Sequence, residues 1–330
     1  METGYVENKT VNWELVKALL KESEAENWWS NFGPVNRKLE AYLEERLGNG
    51  CVTCSSGTAG LHGLVELHNH LAGKELRWVV PAYTFACAVQ GPLRGAQIAD
   101  CDEQGILDLA SLDPMSFDGM VVNDTFGAIP DRQSFIEYAE RHGKVLIFDS
   151  ALAYDRPRDR PVYEMISFHH TKPWGFGEGG CVSLPMEEKE MFRSIINFGL
   201  TKNQEAMRDL ATNQKMSDVS AAFILSRLHG FEAVKHIYRK RFAKISVLLP
   251  YRTIASIATP SCVPIVFDRP IWNLDNTVEV VLRKYYKPLA PLPNATRLYE
   301  RIVCFPCHPF IDLEPVQIIQ CIRDIEQINP

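Results

Sequence analysis

Residues 119–149, GMVVNDTFGAIPDRQSFIEYAERHGKVLIFD, contain two apolar segments separated by an amphipathic one. The apolar segments GMVVND (119–124) and KVLIFD (144–149) have the length and composition of buried strands. Between them, DRQSFIEYAERHG (131–143) has the apolar periodicity of a helix and ends in glycine. A strand, a helix and a strand in this order predict a parallel pair of strands joined by a crossover helix.

The same alternation continues toward the N-terminus. Strands are predicted at 51–54, 76–81 and 95–100, and helices at 35–47 and 61–73. The chain is therefore predicted to be an α/β protein with a mainly parallel sheet covered by helices on both faces.

The sequence pattern changes after about residue 215. A long helical segment (217–249) leads into a stretch richer in proline, and the chain finishes with a helix over 314–328. We predict a large domain over residues 1–215 and a smaller α+β domain over residues 216–330.

Composition and charge disfavour several classes of partner. The 330 residues carry a net charge of −6 and show no block of Lys and Arg, so nucleic acid is not an expected partner. No apolar run approaches the roughly 20 residues that span a bilayer, and the first residues lack a basic and apolar leader. We expect a cytoplasmic protein that does not enter a membrane.

The nine cysteines are predicted to be free thiols in a reducing compartment, because their number is odd and they are widely spread. Two C-x-x-C pairs occur, at Cys51–Cys54 and Cys304–Cys307. About 250 residues separate the pairs, whereas structural zinc ligands lie much closer in sequence, so no metal site is predicted. Buried thiols are the better interpretation.

The segment SFHHTKPWGFGEGG (167–180) admits three interpretations: a glycine loop that cradles phosphate, a metal site, or a lysine used for covalent chemistry. A dinucleotide-binding G-x-G-x-x-G follows a strand and opens a helix, but these glycines lead into CVSLP, which resembles a strand. His169 and His170 have no carboxylate at metal-ligand spacing. Lys172 stands beside Pro173 and Trp174, where poor solvation lowers the pKa of an amine and favours its nucleophilic form.

Two further features of the sequence favour the interpretation of Lys172 as a lysine used for covalent chemistry. Asp149 ends a buried strand, at the edge of a parallel sheet where ligands bind. SSGTAG (55–60) precedes a helix, and small residues there leave backbone N–H groups open to a phosphate. Each feature has an ordinary alternative, a paired aspartate or a plain helix cap. Together, a phosphate site, a strand-end acid and a reactive lysine are what pyridoxal phosphate requires.

The order of these pieces resembles the DegT/DnrJ/EryC1/StrS family of PLP-dependent sugar aminotransferases. The resemblance covers nearly the whole chain and is carried by GPVNRKLEAYLEERLG (33–48), SSGTAGLHGL (55–64), VVPAYTFACAVQGPLRGAQIADCDEQGILDL (79–109), FGAIPD (126–131), HGKVLIFDSALA (142–153), SFHHTKPWGFGEGG (167–180), NQKMSDVSAA (213–222) and FPCHP (305–309). It implies the aspartate-aminotransferase fold type I, with a mainly parallel seven-stranded sheet between helices and a smaller C-terminal α+β domain.

The resemblance also implies roles for individual residues. Lys172 matches the lysine that binds the cofactor covalently and later moves a proton. Asp149 matches the partner of the pyridine nitrogen, and Phe85 falls where an aromatic ring stacks on the cofactor. Gly57, Thr58 and Ser167 match the phosphate site. Asn213 matches an asparagine that reaches the phosphate from the second subunit, which implies a homodimer with shared active sites.

The implied reaction is the conversion of a ketosugar, nucleotide-linked as is usual in this family, to an amine with pyridoxal 5'-phosphate as cofactor and glutamate as donor, in amino sugar and polysaccharide biosynthesis. Two departures bear on the substrate: Leu152 replaces the family's usual Gln or His, and the link from Asp149 to Lys172 is shorter than usual. Amination of a small phosphorylated ketone is therefore an alternative. A sugar dehydratase, in which histidine replaces the lysine, and a non-catalytic binding protein are further alternatives that retention of Lys172 disfavours.

Overall fold

A computed structural model describes residues 4–129, 131–200, 212–311 and 313–330. Pro130, within the segment FGAIPD, lies outside the described residues. The described helices are α1 (Trp13–Glu26), α2 (Pro34–Leu47), α3 (Gly57–Ala72), α4 (Gln133–His142), α5 (Lys189–Ile195), α6 (Asp218–Leu248), α7 (Pro293–Arg301) and α8 (Pro315–Ile328). The described strands are β1 (Gly50–Cys54), β2 (Trp78–Pro81), β3 (Gln97–Ala99), β4 (Gly119–Asn123), β5 (Val145–Asp149), β6 (Glu164–Ser167), β7 (Gly180–Leu184), β8 (Arg252–Thr253), β9 (Cys262–Val266) and β10 (Ile302–Pro306).

The large sheet has seven strands in the order β1-β7-β6-β5-β4-β2-β3. Neighbours from β6 to β3 run parallel, and β7 runs antiparallel to both β1 and β6. The predicted α/β class and mainly parallel seven-stranded sheet are confirmed. The predicted βαβ unit is β4, α4 and β5, and its register places Asn123 opposite Asp149.

Alternate residues of the strands enter cores on opposite faces of this sheet. On one face, Val52 of β1 and Val182 of β7 pack with side chains of α3 and α5. On the other face, their neighbours Cys51 and Cys181 pack with α1, α2 and α6. Phe148 of β5 joins a further cluster beneath α4. Helices therefore cover both faces, as buried parallel strands require.

The helices α2 and α3 end where the sequence places glycine. Gly48 and Gly73 adopt φ values of 67° and 65°, a left-handed conformation that glycine enters without steric cost. The chain then turns sharply into the next segment.

A smaller antiparallel sheet, β10-β9-β8, packs with α8 and the second half of α6. The first half of α6 belongs instead to the core of the large sheet. Because one helix contributes to both cores, the predicted division of the chain at residues 215 and 216 stays a prediction. The α+β character of the C-terminal part is confirmed.

All nine cysteines are buried and unpaired, so the interpretation of the C-x-x-C pairs as buried thiols is confirmed. None of the described helices is both long and apolar enough to cross a bilayer.

Candidate active site

A cavity of about 510 Å³ opens at the carboxyl ends of the central strands. β4, β5 and β6 end with Asn123, Asp149 and Ser167, and all three side chains line the cavity. Ligands of open α/β sheets bind at this edge. The predicted site residues that the structure brings together here are Gly57, Thr58, Phe85, Asp149, Ser167 and Lys172.

Lys172 stands in a tight connection between the antiparallel strands β6 and β7. Its backbone N–H donates to His169 O at 2.9 Å, and its carbonyl accepts from Gly175 N at 3.0 Å. A Cβ atom on Gly175 would lie 2.2 Å from His169 O and 2.4 Å from Phe168 O, so only glycine permits this close approach. The glycines that follow Lys172 therefore shape the loop and lead directly into β7.

The amine of Lys172 is activated by its surroundings. Burial lowers the pKa of Lys172, and the Asp149 carboxylate partly offsets this effect. A lower pKa increases the fraction of neutral amine, which is the form that attacks a carbonyl group.

Asp149 lies on the floor of the cavity. Within the described part of the chain, the one hydrogen bond to its carboxylate comes from Ala151 N at 3.0 Å. Burial raises the pKa of Asp149 to about 6, while the bond from Ala151 and the charge of Lys172 lower it. A buried carboxylate with so few hydrogen-bond donors would be stabilised by a cation in the cavity.

The N-terminus of α3 forms a second part of the wall. Ser56 is the N-cap residue, and its hydroxyl accepts from Ala59 N at 3.1 Å. A Cβ atom on Gly180 would lie 2.5 Å from Gly57 N, so β7 approaches the first turn of α3 very closely. Ser56, Gly57 and Thr58 of this turn line the cavity, and the start of a helix stabilises an anion.

Phe85 leaves 61% of its surface exposed although it lines the cavity. An aromatic ring this open in a concave site has a face free for stacking. Ser167, at the end of β6, is buried and accepts a hydrogen bond from His169 N at 3.3 Å.

Asn123 is a site residue that sequence reasoning did not identify. Its amide nitrogen donates to Tyr83 O at 3.0 Å and to the hydroxyl of Thr125. Its buried Oδ1 has no hydrogen-bond partner among the described residues. Leu152, by contrast, is apolar, lines the cavity and packs in a cluster with Phe126.

A buried ionic cluster supports the strand ends. Glu164 of β6 accepts from Arg132 Nη1 at 3.1 Å, from Arg158 Nε at 2.5 Å and from Ser150 Oγ at 2.8 Å. Burial would raise the pKa of Glu164, but Arg158 and Arg132 lower it to about 2. Asp124, which lines the cavity after β4, is paired with Arg156 in the same cluster. The sequence does not predict this cluster, because its members are separated along the chain.

The two histidines before Lys172 differ in position. His169 lines the cavity, where its ring nitrogens contact Thr171 Oγ1 at 2.8 Å and Glu178 Oε1 at 3.3 Å. His170 is not among the lining residues and packs edge-on against Phe176. Lys172, rather than His170, therefore lines the cavity.

Asn213 is exposed and lies outside the cavity of its own chain. Its side chain accepts from Lys215 Nζ at 2.6 Å, and its backbone bridges to Asn197. The expected reach of Asn213 into a second subunit is a prediction that a single chain does not test.

The opposite wall of the cavity comes from distant parts of the sequence that were not predicted to contribute. The N-terminal segment and the C-terminal part supply mainly aromatic and polar groups: Tyr5, Glu7, Lys9, Tyr238, Ser261, Cys262, Tyr285, Tyr286 and His308. Tyrosine faces and hydroxyls are suited to a polar, carbon-rich ligand such as a sugar.

The sequence model of the DegT/DnrJ/EryC1/StrS aminotransferase family matches residues 13–260. The chain belongs to this family. The matched segment contains Lys172, Asp149 and the N-terminus of α3, whereas most of the opposite wall of the cavity lies outside it.

Two curated relatives are similar to this chain in sequence. Protein Rv3402c of Mycobacterium tuberculosis (strain ATCC 25618 / H37Rv) is 28% identical over 261 residues, covering 73% of this chain and 61% of the relative. The chain thus spans about three fifths of the length of the mycobacterial relatives it matches. The dTDP-4-amino-4,6-dideoxy-D-glucose transaminase of Shigella dysenteriae is 24% identical, covering 90% of this chain and 92% of that protein.

Solved structures agree with the family fold. PseC of Helicobacter pylori, an aminotransferase involved in the biosynthesis of pseudoaminic acid, is 18% identical with a TM-score of 0.83, over 99% of this chain and 100% of PseC. DesI, solved in the presence of its TDP-sugar product, is 24% identical with a TM-score of 0.81, over 99% of this chain and 92% of DesI. The DegT/DnrJ/EryC1/StrS family member described here therefore has the fold of these aminotransferases.

Proposed function

We propose that this chain is an aminotransferase that uses pyridoxal phosphate to convert a keto group of a nucleotide-linked sugar into an amine, with glutamate as donor. The observation that carries the proposal is the presence of Lys172 and Asp149 in the lining of one cavity, in a chain of the DegT/DnrJ/EryC1/StrS aminotransferase family. The amine has a lowered pKa, and the carboxylate calls for a cation.

The residues of the cavity fit pyridoxal phosphate. The carboxylate of Asp149 has room for a positively charged ring nitrogen, and the exposed ring of Phe85 would stack on the pyridine. The phosphate would be held at the start of α3 by Gly57 and Thr58, with the hydroxyl of Ser167. When bound, the cofactor supplies an electron sink that makes a C–H bond next to nitrogen acidic.

Asn123 supplies a polar contact that Leu152 lacks. Its unpartnered Oδ1 is adjacent in register to Asp149, and a hydroxyl donor would remove the cost of burying it. We propose that the hydroxyl group of the cofactor ring is that donor, so that Asn123 replaces the Gln or His usual at the position of Leu152.

Lys172 would perform two tasks. Its neutral amine would attach the cofactor, and after release it would move the proton between the reacting carbon atoms as general base and acid. The lowered pKa of Lys172 supports both tasks, because it increases the fraction of neutral amine that can attack a carbonyl group or accept a proton.

A sugar substrate is supported by the relatives and by the distal wall. The Shigella dysenteriae relative is named for an amino sugar linked to dTDP, and DesI was solved with a TDP-sugar. In this chain Tyr5, Tyr285 and Tyr286 offer aromatic surface at the wall formed by the chain termini.

We further propose a homodimer in which Asn213 reaches the phosphate in the partner's site. The exposure of Asn213 and its position outside its own cavity support this arrangement. The unpaired state of all nine thiols supports a reducing, cytoplasmic location.

The test is amine transfer by the purified protein, supplied with pyridoxal phosphate and glutamate. dTDP-4-keto-6-deoxyglucose and a small ketone such as dihydroxyacetone phosphate serve as competing acceptors. We expect the nucleotide sugar to be aminated. The rate of amine transfer should fall by about 10²–10⁴-fold in Lys172→Ala. Transfer only to the small ketone would replace the proposed substrate, and unchanged turnover in Lys172→Ala would reject the mechanism.

A further inference from the structure

Residues 4–9, which we call the N-terminal strap, run along the cavity and connect its two sides. At one end, Gly4 O accepts from His308 Nε2 at 2.8 Å, and the ring of Tyr5 lies 6.0 Å from that of Tyr285. At the other end, Lys9 contacts the loop that carries Lys172. Tyr5, Val6, Glu7 and Lys9 all line the cavity.

The side chain of Lys9 ends inside the 170–175 loop. Its ammonium group donates to His170 O at 2.5 Å, Lys172 O at 2.5 Å and Gly175 O at 2.6 Å. An ammonium group has three N–H donors and no acceptor, so these three carbonyl groups use its full hydrogen-bonding capacity. Lys9 is only 8% exposed, and no donor remains for a substrate.

A second group secures the strap and the same loop. The Glu7 carboxylate accepts from Arg227 Nη2 at 2.5 Å and from the Tyr238 hydroxyl at 2.6 Å, and Arg227 Nε donates to Pro173 O at 2.9 Å. Burial and then the Arg227 guanidinium lower the pKa of Lys9 to about 7, whereas the Glu7 carboxylate raises it. Glu7 therefore helps to keep the ammonium of Lys9 charged and in place.

We infer that Lys9 is a positioning residue for Lys172: it fixes the 170–175 loop from the opposite wall of the cavity, so that the N-terminal strap sets the direction of the reactive amine. The carbonyl of Lys172 itself is held from two sides, by Lys9 Nζ and by Gly175 N. A displacement of the backbone at this residue displaces the amine, and reactions between oriented groups lose rate steeply with small displacements.

The inference rests on the proposed function only for its effect on cofactor attachment, because the effect on the loop is a property of the chain alone. The test therefore uses two measurements on Lys9→Met. The first is hydrogen exchange of the peptide spanning 168–178 in the cofactor-free protein. The second is the rate at which the visible absorption of the lysine-bound cofactor develops after pyridoxal phosphate is added.

Lys144→Met is the matched control. Lys144 is also a partly buried lysine that donates to a backbone carbonyl, Phe117 O at 2.8 Å, but it lies at the far end of β5 from Asp149. We expect Lys9→Met to increase exchange of the loop amides and to slow cofactor attachment by about tenfold each, since hydrogen bonds from a charged donor are lost. Lys144→Met should leave both within about twofold of wild type.

Loop exchange in Lys9→Met within about twofold of wild type would overturn the inference. If the wild-type chain does not attach the cofactor at all, the proposed function fails, but the exchange measurement still decides the role of Lys9. Should Lys9→Met not fold, Glu7→Gln provides the second variant, because it retains the Lys9 side chain but removes the Glu7 carboxylate, which pairs with Arg227 and helps to keep the Lys9 ammonium charged. About threefold faster loop exchange is then expected, and unchanged exchange would again overturn the inference.

Discussion

At the scale of single residues, Asp149 carries a charge that the fold makes costly. Burial raises the pKa of Asp149 to about 6, above the value of roughly 4 for an exposed aspartate. Between these values the folded chain binds more protons than the unfolded chain, so the free energy of unfolding falls as the pH rises through this window. The buried carboxylate therefore lowers the free energy of unfolding of the cofactor-free protein at neutral pH.

We predict that Asp149→Asn stabilises the cofactor-free protein at pH of about 7.5, by on the order of 1–3 kcal/mol in the free energy of unfolding, and that the gain nearly disappears at pH of about 4. The same variant should bind pyridoxal phosphate more weakly, because the ring nitrogen loses its partner. Urea unfolding at the two pH values measures the first effect, and equilibrium dialysis measures the second. A variant that is equally destabilised at both pH values would show that the carboxylate has a structural role instead.

Single residues differ in how far the sequence predicts them. Lys172 and Asp149 could be found because a lysine among glycines and an acid at a strand end have local signals. Asn123 and Lys9 could not, because their importance depends on partners that only the fold brings near, such as the Lys172 carbonyl 163 positions from Lys9. A hydrogen bond between residues so far apart in the chain can be identified only from the folded structure.

At the scale of elements, the connection between β6 and β7 decides where Lys172 points. Its backbone bonds link His170 N to Gly177 O at 2.8 Å and Phe176 N to Phe168 O at 3.0 Å. The indole of Trp174 adds a bond to Ser167 O at 2.9 Å. These bonds tie the loop to the end of β6 and to its own second half.

We predict that Gly175→Ala destabilises the protein by about 2–4 kcal/mol, since a Cβ atom at 2.2 Å from His169 O forces the backbone to move. Gly177→Ala is the matched control: Gly177 has a φ of 63° but open space around it, so only the left-handed conformation is penalised, by about 1–2 kcal/mol. Chemical unfolding of both cofactor-free variants measures the difference. Equal losses would mean that the close approach at Gly175 does not constrain the loop.

Elements with strong apolar periodicity were the ones that the sequence predicted. α4 and β5 appear within about two residues of their predicted bounds, because helix and strand patterns are unbroken there. The helix α1 was not predicted, since only Val16, Leu19 and Ser23 of its residues are buried and its apolar face is narrow. β9 and β10 were also not predicted, because they pair across about 40 residues in a segment rich in proline.

At the scale of the whole molecule, the proposed sharing of active sites between two subunits makes a specific prediction. Lys172→Ala removes the amine, and Asn213→Ala removes the group proposed to reach the partner's phosphate. In a mixed dimer of these variants, one site would carry both substitutions, and the other would contain both native residues. We therefore expect mixed dimers to regain tight cofactor binding at one site of two.

The two variant chains carry different affinity tags, so that only mixed dimers are purified. Pyridoxal phosphate bound per dimer is then compared with that of each variant alone. If Asn213 acted within its own chain, each site of the mixed dimer would still carry one of the two substitutions, and mixing would restore nothing. That outcome would remove the proposed role of Asn213 and leave the assignment of Lys172 intact.

The overall architecture followed from the sequence, whereas the enclosure of the site did not. Alternating strands and helices predicted the parallel sheet and the edge at which ligands bind. The wall formed by Tyr5, Glu7 and Tyr286 had no sequence signal, because it joins residues from opposite ends of the chain.

In the proposed function, the amine of Lys172 forms the covalent bond to pyridoxal phosphate. The most direct test is borohydride reduction of the protein loaded with the cofactor, followed by peptide mapping by mass spectrometry. We expect a single phosphopyridoxyl label on the peptide that contains Lys172, and no label on that peptide in Lys172→Ala. A label on another lysine, or an unlabelled Lys172 in protein that has bound the cofactor, would show that Lys172 does not form this bond.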